Sequence, residues 1–326
     1  MNTQSLLYVL RRLLHAIPTV VVIVCLNFAL LQLAPGDAAD VLAGEAGSAT
    51  PEYMAQLRAR FGLDQPVHVQ LVVYLKQVLT FDLGYSFRHG MPVSELIMAR
   101  LGPTLLLMVS VFLSSVIFGA LLGSLAARKL NQWQDSMISM LTILAYATPV
   151  FWAGLMLIVV FAINLGWFPT SGMQDIAAFH DGWPKVVDIA HHLVLPAVTL
   201  TMFYLALYTR LMRASVLEQS SMDYVTTARA KGLTERQIAS RHVFRNALLP
   251  IVTMAGVQAG ALLGGAVVVE TVFAWPGLGL LAYESLFARD LNLLLGIFFI
   301  SACLVVVVNL IVDLVYSMID PRIELR

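Results

Sequence analysis

The chain has 326 residues, 59% of them hydrophobic and only 12% charged, against ~25% charged in an ordinary soluble domain. Its formal net charge is zero, which excludes the electrostatic footprint of a nucleic-acid or other polyanion binder. Both cysteines, Cys25 and Cys303, fall in apolar runs, so neither a disulfide framework nor a cysteine metal site is expected.

Lipid is therefore the solvent for most of this chain. A spanning helix takes about 20 mostly apolar residues, and six segments qualify, near 9–33, 103–127, 137–165, 191–212, 247–270 and 291–316. Arg11 and Arg12 stand at the head of the first. Its apolar run is longer than the ~7–15 residues of a signal-peptide core, so residues 1–34 read as an anchor rather than a cleaved leader.

Residues 35–102 form a large insertion before the second span. Thr50 ahead of Pro51 and Glu52 is an N-cap followed by proline at the first helical position, and Gly62 closes that helix. Leu63-Asp64-Gln65-Pro66 is a turn signal. Val67, Leu71, Tyr74, Leu75 and Val78 then recur at helical spacing, which calls for an amphipathic helix lying on the bundle. Asp82 to Ser86 reads as loop, with a third helix from Pro92.

Residues 103–316 hold the remaining five spans, and 317–326 form a tail. Gly119 and Gly123 on the second span, and Gly256, Gly260 and Gly264 on the fifth, make ridges of small residues at four-residue spacing. Such ridges let backbones pack closely in lipid; a sliding, gate-lining surface is the functional alternative. Pro149, Pro196 and Pro250 should kink their spans. His191 and His192 read as an interfacial pair. Glu270 is expected to be exposed at the end of its span. Asp313, one turn from Asn309, is expected to make a polar helix contact, although an ionisable residue in a span is also a functional candidate.

Between the fourth and fifth spans lies a polar stretch, 214–246. Asp223 is placed as the N-cap of a short exposed helix from Tyr224 to Lys231, ended by Gly232 in the left-handed region. Thr234 and Gln237 form a capping box that starts a second helix. A two-turn helix is unstable alone in water, so it must lie either in a groove of another protein or on the membrane surface. Most of the 20 basic residues flank this loop, both termini and the second-to-third-span connection. By the positive-inside rule these regions are cytoplasmic.

The run Ala228-Arg-Ala-Lys-Gly-Leu233, followed by Arg245-Asn246-Ala247 and Pro250, resembles the "EAA" loop of ATP-binding-cassette (ABC) importer permeases. The whole chain is similar to the first permease subunit of the dipeptide/oligopeptide/nickel family. The likeness is carried by Ala34-Pro-Gly-Asp37, Asp82-Leu-Gly-Tyr-Ser86, Pro149-Val-Phe-Trp152, Glu270-Thr-Val-Phe-Ala-Trp-Pro-Gly-Leu-Gly279 and Asp320-Pro-Arg322. Thr226 and Thr227 stand where the motif has glutamate and its first alanine, while Ala228 and Gly232 match. The resemblance implies an all-α integral membrane protein with six transmembrane helices of the type I importer kind and a helical extracytoplasmic insertion. It implies a homologous second permease subunit, two ATP-binding subunits and an extracytoplasmic substrate-binding protein. Tyr224–Lys231 would then be the coupling helix, with Asp223, Tyr224, Thr227, Ala228, Arg229, Lys231 and Gly232 as coupling residues. Thr227 and Ala228 would allow close approach, and Arg229 and Lys231 would pair with acidic groove residues. Gly256, Gly260, Gly264, Asn309 and Asp313 are the candidate pathway or gate positions. Short peptides lead as substrate, ahead of nickel chelates, glutathione or other peptide-like solutes.

The sequence has no G-x-x-x-x-G-K-[ST] phosphate loop, so ATP chemistry is assigned to partner subunits and no cofactor or metal is expected. Two rival classes remain on the table. An ion-coupled secondary transporter calls for inverted repeats and several buried charges. An intramembrane hydrolase has only Ser171-Gly172 and His191 to draw on, without a matching motif.

Overall fold

The computed structural model describes residues 17–18, 20–30, 32–33, 50–60, 64–86 and 88–319. Helices dominate them: α1 (Val20–Leu30), α2 (Pro51–Arg60), α3 (Val67–Leu79), α4 (Val93–Arg128), α5 (Trp133–Ala147), α6 (Val150–Leu157), α7 (Trp183–Ser220), α8 (Asp223–Ala230), α9 (Glu235–Ile238), α10 (Phe244–Val272), α11 (Leu278–Phe287) and α12 (Leu291–Ile319). Expectations for residues 35–49 and 320–326, and for the start of the first span, lie outside the described residues. Among the described residues, three helices are long and apolar enough to cross a membrane unbroken: Val93–Arg128, Trp183–Ser220 and Leu291–Val312. Two bent pairs add to them, Trp133–Ala147 with Val150–Asn164 and Glu235–Leu262 with Ala266–Val272.

Two compact units divide the chain. The first comprises Met1–Gly102 with Leu281–Val307. Thr50 caps α2 as its sequence requires, its hydroxyl oxygen accepting from the Tyr53 amide at 3.3 Å. The apolar face of α3 finds its partner inside this unit, where Val78 packs with Val24 and Phe299. Phe28 and Tyr74 meet ring to ring at 5.8 Å. The stretch expected to be plain loop instead pairs Tyr85–Ser86 (β1) with Met91–Pro92 (β2) in an antiparallel hairpin. The helix expected from Pro92 begins at Val93 as α4 and is continuous with the second span, running 36 residues through Pro103 without a break.

The second unit, Pro103–Leu280 with Val308–Arg326, holds the main core around Leu107, Leu200, Tyr208, Met212, Ile251 and Trp275. Here the glycines of α4 act as the spacing demands. A Cβ added at Gly123 would lie 2.6 Å from Met212 Cβ and 3.0 Å from the Arg213 nitrogen, and one at Gly119 would overlap Tyr208. Absent side chains thus let α4 and α7 touch backbone to backbone.

The three prolines behave differently. At Pro149 the chain breaks rather than kinks. Thr148 before it is extended, with ψ 128°, as the steric clash with a following proline ring demands. The helices on either side meet at 105°, so the segment 137–165 is a bent pair and not a straight span. Pro196 is buried within α7, which continues through it for 38 residues. Pro250 also sits inside α10, whose 54° bend falls between Leu262 and Ala266.

Glu270 is the clearest departure. Expected at an exposed end, it has 0% exposure. Its carboxylate accepts from the Thr104 hydroxyl at 2.8 Å and from the Leu280 amide at 3.0 Å, while Thr104 Oγ1 accepts from the Leu278 amide at 2.7 Å. An acid at the N-terminus of α11 satisfies otherwise orphaned amides and complements the helix dipole. Trp275 completes the turn, buried, with its indole N–H donating to the Pro103 carbonyl at 2.9 Å. Gly279 is required here because a Cβ would come within 2.8 Å of the carboxylate.

Two glycine substitutions separate packing from propensity. Gly123→Val should lower thermal stability of the detergent-purified protein by about 1–3 kcal/mol or more, the usual cost of overpacking. Gly264→Ala, with nothing within 4 Å of the added carbon, should be neutral or stabilise by about 0.5–1 kcal/mol. Differential scanning of the two melting midpoints checks the contrast.

Candidate coupling site

The polar stretch is held by its own chain more firmly than its composition suggests. Helix α7 continues to Ser220, so residues 214–220 extend a span instead of opening a loop. Met222, not Asp223, is the residue before α8; Asp223 lies in the first turn, where its charge complements the helix N-terminus. Tyr224 donates its hydroxyl to Gln219 Oε1 at 2.9 Å, and Thr227 donates to the Asp223 carbonyl at 3.1 Å.

Gly232 ends α8 at φ +79°, the left-handed conformation in which a Cβ is costly. The Leu233 amide reaches the Ala228 carbonyl at 3.3 Å and the Gly232 amide the Arg229 carbonyl at 2.9 Å, the paired bonds of a Schellman motif. Thr234 and Gln237 then form the expected reciprocal capping box, starting α9. That helix passes through one wide π turn, Ala239–Val243, into α10, so no break separates the loop's second helix from the following span.

Exposure is distributed differently from the sequence expectation. Val225 and Ala228 are buried against the core, because they share the inner face of the two-turn helix. Ala228 is therefore unavailable for close approach by another protein. Asp223, Thr226, Thr227, Arg229, Ala230, Lys231 and Gly232 are exposed, and Tyr224 half-buried. Arg229 is already engaged, its guanidinium donating to both carboxylate oxygens of Glu235 at 2.6 and 3.1 Å. Its hydrogen bonds hold the Glu235 carboxyl below the usual carboxylate range. Lys231 remains a solvent-facing cation. The result is a short protrusion with a closed C-terminal end, an inner face locked to the core and a small-residue polar outer face. It carries no nucleophile–base pair and suits docking rather than chemistry.

The candidate gate positions differ in their surroundings. Gly256 lies against Val312, whereas Gly264 has open space around it. Gly260 is half-buried and Asn309 exposed. The side chain of Asp313 lies outside the described residues, and with it the contact expected with Asn309. His191 bonds the Trp167 carbonyl at 2.7 Å, and His192 lies 3.1 Å from Asp188. Among the polar contacts that sequence reasoning missed is Asp135 with Arg213. The available signal was an acid just ahead of a predicted span start and an arginine just beyond a predicted span end.

Comparisons with known proteins converge on this architecture. Residues 119–325 match the model of the family described as binding-protein-dependent transport system inner membrane component. Residues 5–108 match that of its N-terminal membrane component. The chain is 40% identical over 318 residues to the oligopeptide transport system permease protein AppB of Bacillus subtilis, covering 97% of this chain and 99% of the relative. It is 37% identical over 316 residues to a putative peptide transport system permease of Brucella abortus, covering 97% and 98%. The glutathione transport system permease protein GsiC of Salmonella paratyphi A is 39% identical over 319 residues, covering 98% and 99%. In fold, the chain resembles an inward-facing structure of the MetNI methionine ABC transporter, with TM-score 0.56, 17% identity, and coverage of 69% of this chain and 96% of that one. This chain belongs to the binding-protein-dependent transport system inner membrane component family, and is a multi-pass permease subunit of an ABC importer.

Gly232→Val tests the local geometry. A β-branched residue held at positive φ should cost the turn about 1–2 kcal/mol. Limited proteolysis should then cut at 231–234 at least several times faster than in the wild type.

Proposed function

We propose that this chain carries di- or oligopeptides across the bacterial inner membrane, alongside a homologous permease subunit, and that two ATP-binding subunits drive it. An extracytoplasmic binding protein delivers the substrate, and residues 35–102 receive it or shape the outer gate. Both termini and α8 face the cytoplasm, in keeping with the clustering of arginine and lysine there. The observation that carries this reading is the build of α8: closed at its C-terminal end by Gly232, braced from within by Val225 and Ala228, and exposing a small polar face at Thr226 and Thr227. A lever must be rigid where it joins its own protein and open where it is pushed.

ATP-driven closure of the ATPase pair moves α8 as a unit and shifts the permease between inward- and outward-open populations, because nucleotide binds the closed state better. The substrate class follows from the relatives named for peptide, oligopeptide and glutathione transport, the last itself a peptide.

Thr227→Arg adds bulk and charge to the exposed face without touching the core. It should cut uptake by about ten-fold or more, a loss of ~1.4 kcal/mol or greater in coupling, at unchanged membrane abundance. Normal uptake in that variant would remove α8 from the role. For substrate, excess unlabelled short peptide should suppress uptake by the complete transporter, and suppression by glutathione alone would reassign it.

A further inference from the structure

Among the described residues outside the coupling segment, the second unit contains a bidentate ion pair between two spans. Arg213 on α7 donates from Nε to Asp135 Oδ1 at 2.7 Å and from Nη2 to Oδ2 at 2.8 Å. Asp135 lies in the first turn of α5 and is buried; Arg213 is partly exposed. The same carboxylate accepts from the Asn131 amide at 3.1 Å, where the backbone is left-handed at φ +60°. One acid therefore fixes the turn between α4 and α5 and grips α7 at once. On the other side of that turn, Gly123 of α4 lies against Thr209, Met212 and Arg213. The α4–α5 hairpin thus holds α7 twice, by a backbone contact and by a charged fork, at the same helical turn.

The location gives the pair a use. From Arg213, α7 runs on unbroken to Ser220, roughly 10 Å at 1.5 Å per residue, and then turns into α8. Packing alone would glue two helices, and replacing a buried pair with apolar residues is often neutral for stability. A bidentate guanidinium–carboxylate fork adds geometric specificity. It sets the rotation and register of α7 against α5, so a push on α8 is passed to α5 and to the broken span it begins instead of being lost as sliding. Just past the break in that span, Gly154 of α6 packs against Phe273, Val272 and Thr199.

We propose that Arg213 and Asp135 are positioning residues for ATP-driven transport, a transmission contact that makes α5 and α7 move as one body when α8 is displaced. The inference rests on the reading of α8 as the coupling helix, and the experiment separates the two. The complete transporter, with its partner permease, ATPase subunits and binding protein, is reconstituted in proteoliposomes, and ATP hydrolysed per peptide imported is measured. Arg213→Lys keeps the charge and loses the fork. The double variant Asp135→Leu/Arg213→Met keeps apolar packing and removes the ions. Both should raise the ATP-to-peptide ratio by about five-fold or more, with melting midpoint and assembled amount near wild type. A merely structural role would lower hydrolysis and uptake together and leave the ratio alone. Spin labels at the exposed positions Ser136 and Ala214 supply the second readout. Their distance should stay constant between nucleotide states in the wild type and change between them in the double variant. An unchanged ratio in both variants, while Thr227→Arg uncouples, overturns the transmission contact and leaves α8 standing. An unchanged ratio in Thr227→Arg as well removes α8, and this inference with it.

Discussion

Hydrocarbon offers no water to a backbone N–H or C=O, so each backbone polar group carried into it needs a partner within the protein. That constraint explains both the long helices and the few places where they are interrupted. Around Glu270 the helix α10 ends and α11 begins, and the amides exposed by the change are taken up by one carboxylate and one threonine hydroxyl. At Pro149 the helix is cut outright, and α6 restarts with proline just ahead of it, where a missing N–H costs nothing.

Because lipid is as apolar as leucine, helices here adhere through shape and through occasional polar contacts rather than through hydrophobic exclusion. Gly119 and Gly123 supply shape, and Asp135 with Arg213 supplies the polar contact, on the same stretch of α7. Together they give α7 a firm bearing just before it leaves the bundle. The short helix α8 is then more than an appendage: its inner residues belong to the same core as Met212 and Val216. This is how eight residues that would not hold a helix alone can serve as a stable projection.

Much of this was legible because it depends on local rules. The Thr50 cap, the Gly232 terminus and the Thr234–Gln237 box involve neighbours within a few residues, and their residue types have specific backbone consequences. Span existence follows from apolar run length. Span shape does not: Pro149 and Pro196 look alike in sequence, yet one breaks the chain and the other is absorbed by its surroundings. Burial of Glu270 depends on Thr104, 166 positions away, and the grip on Arg213 depends on Asp135, 78 away; no local pattern encodes such distances. At the coupling segment the helix and its Gly232 end were readable, but not its N-cap, which falls at Met222, nor its orientation, since eight residues are too few for an apolar stripe to announce which side faces the core. Ala228 matched a motif and turned inward, leaving Thr226 and Thr227 outside.

The central claim is that force enters through the outward face of α8 from a separate ATPase. Site-directed thiol cross-linking in the assembled transporter measures it directly, using Thr227→Cys and Ala230→Cys on the exposed face and Val225→Cys on the buried one. The account predicts covalent capture of an ATP-binding subunit from Thr227→Cys and Ala230→Cys, altered in yield by nucleotide, and none from Val225→Cys. Full uptake activity with no adduct at either exposed position would contradict it.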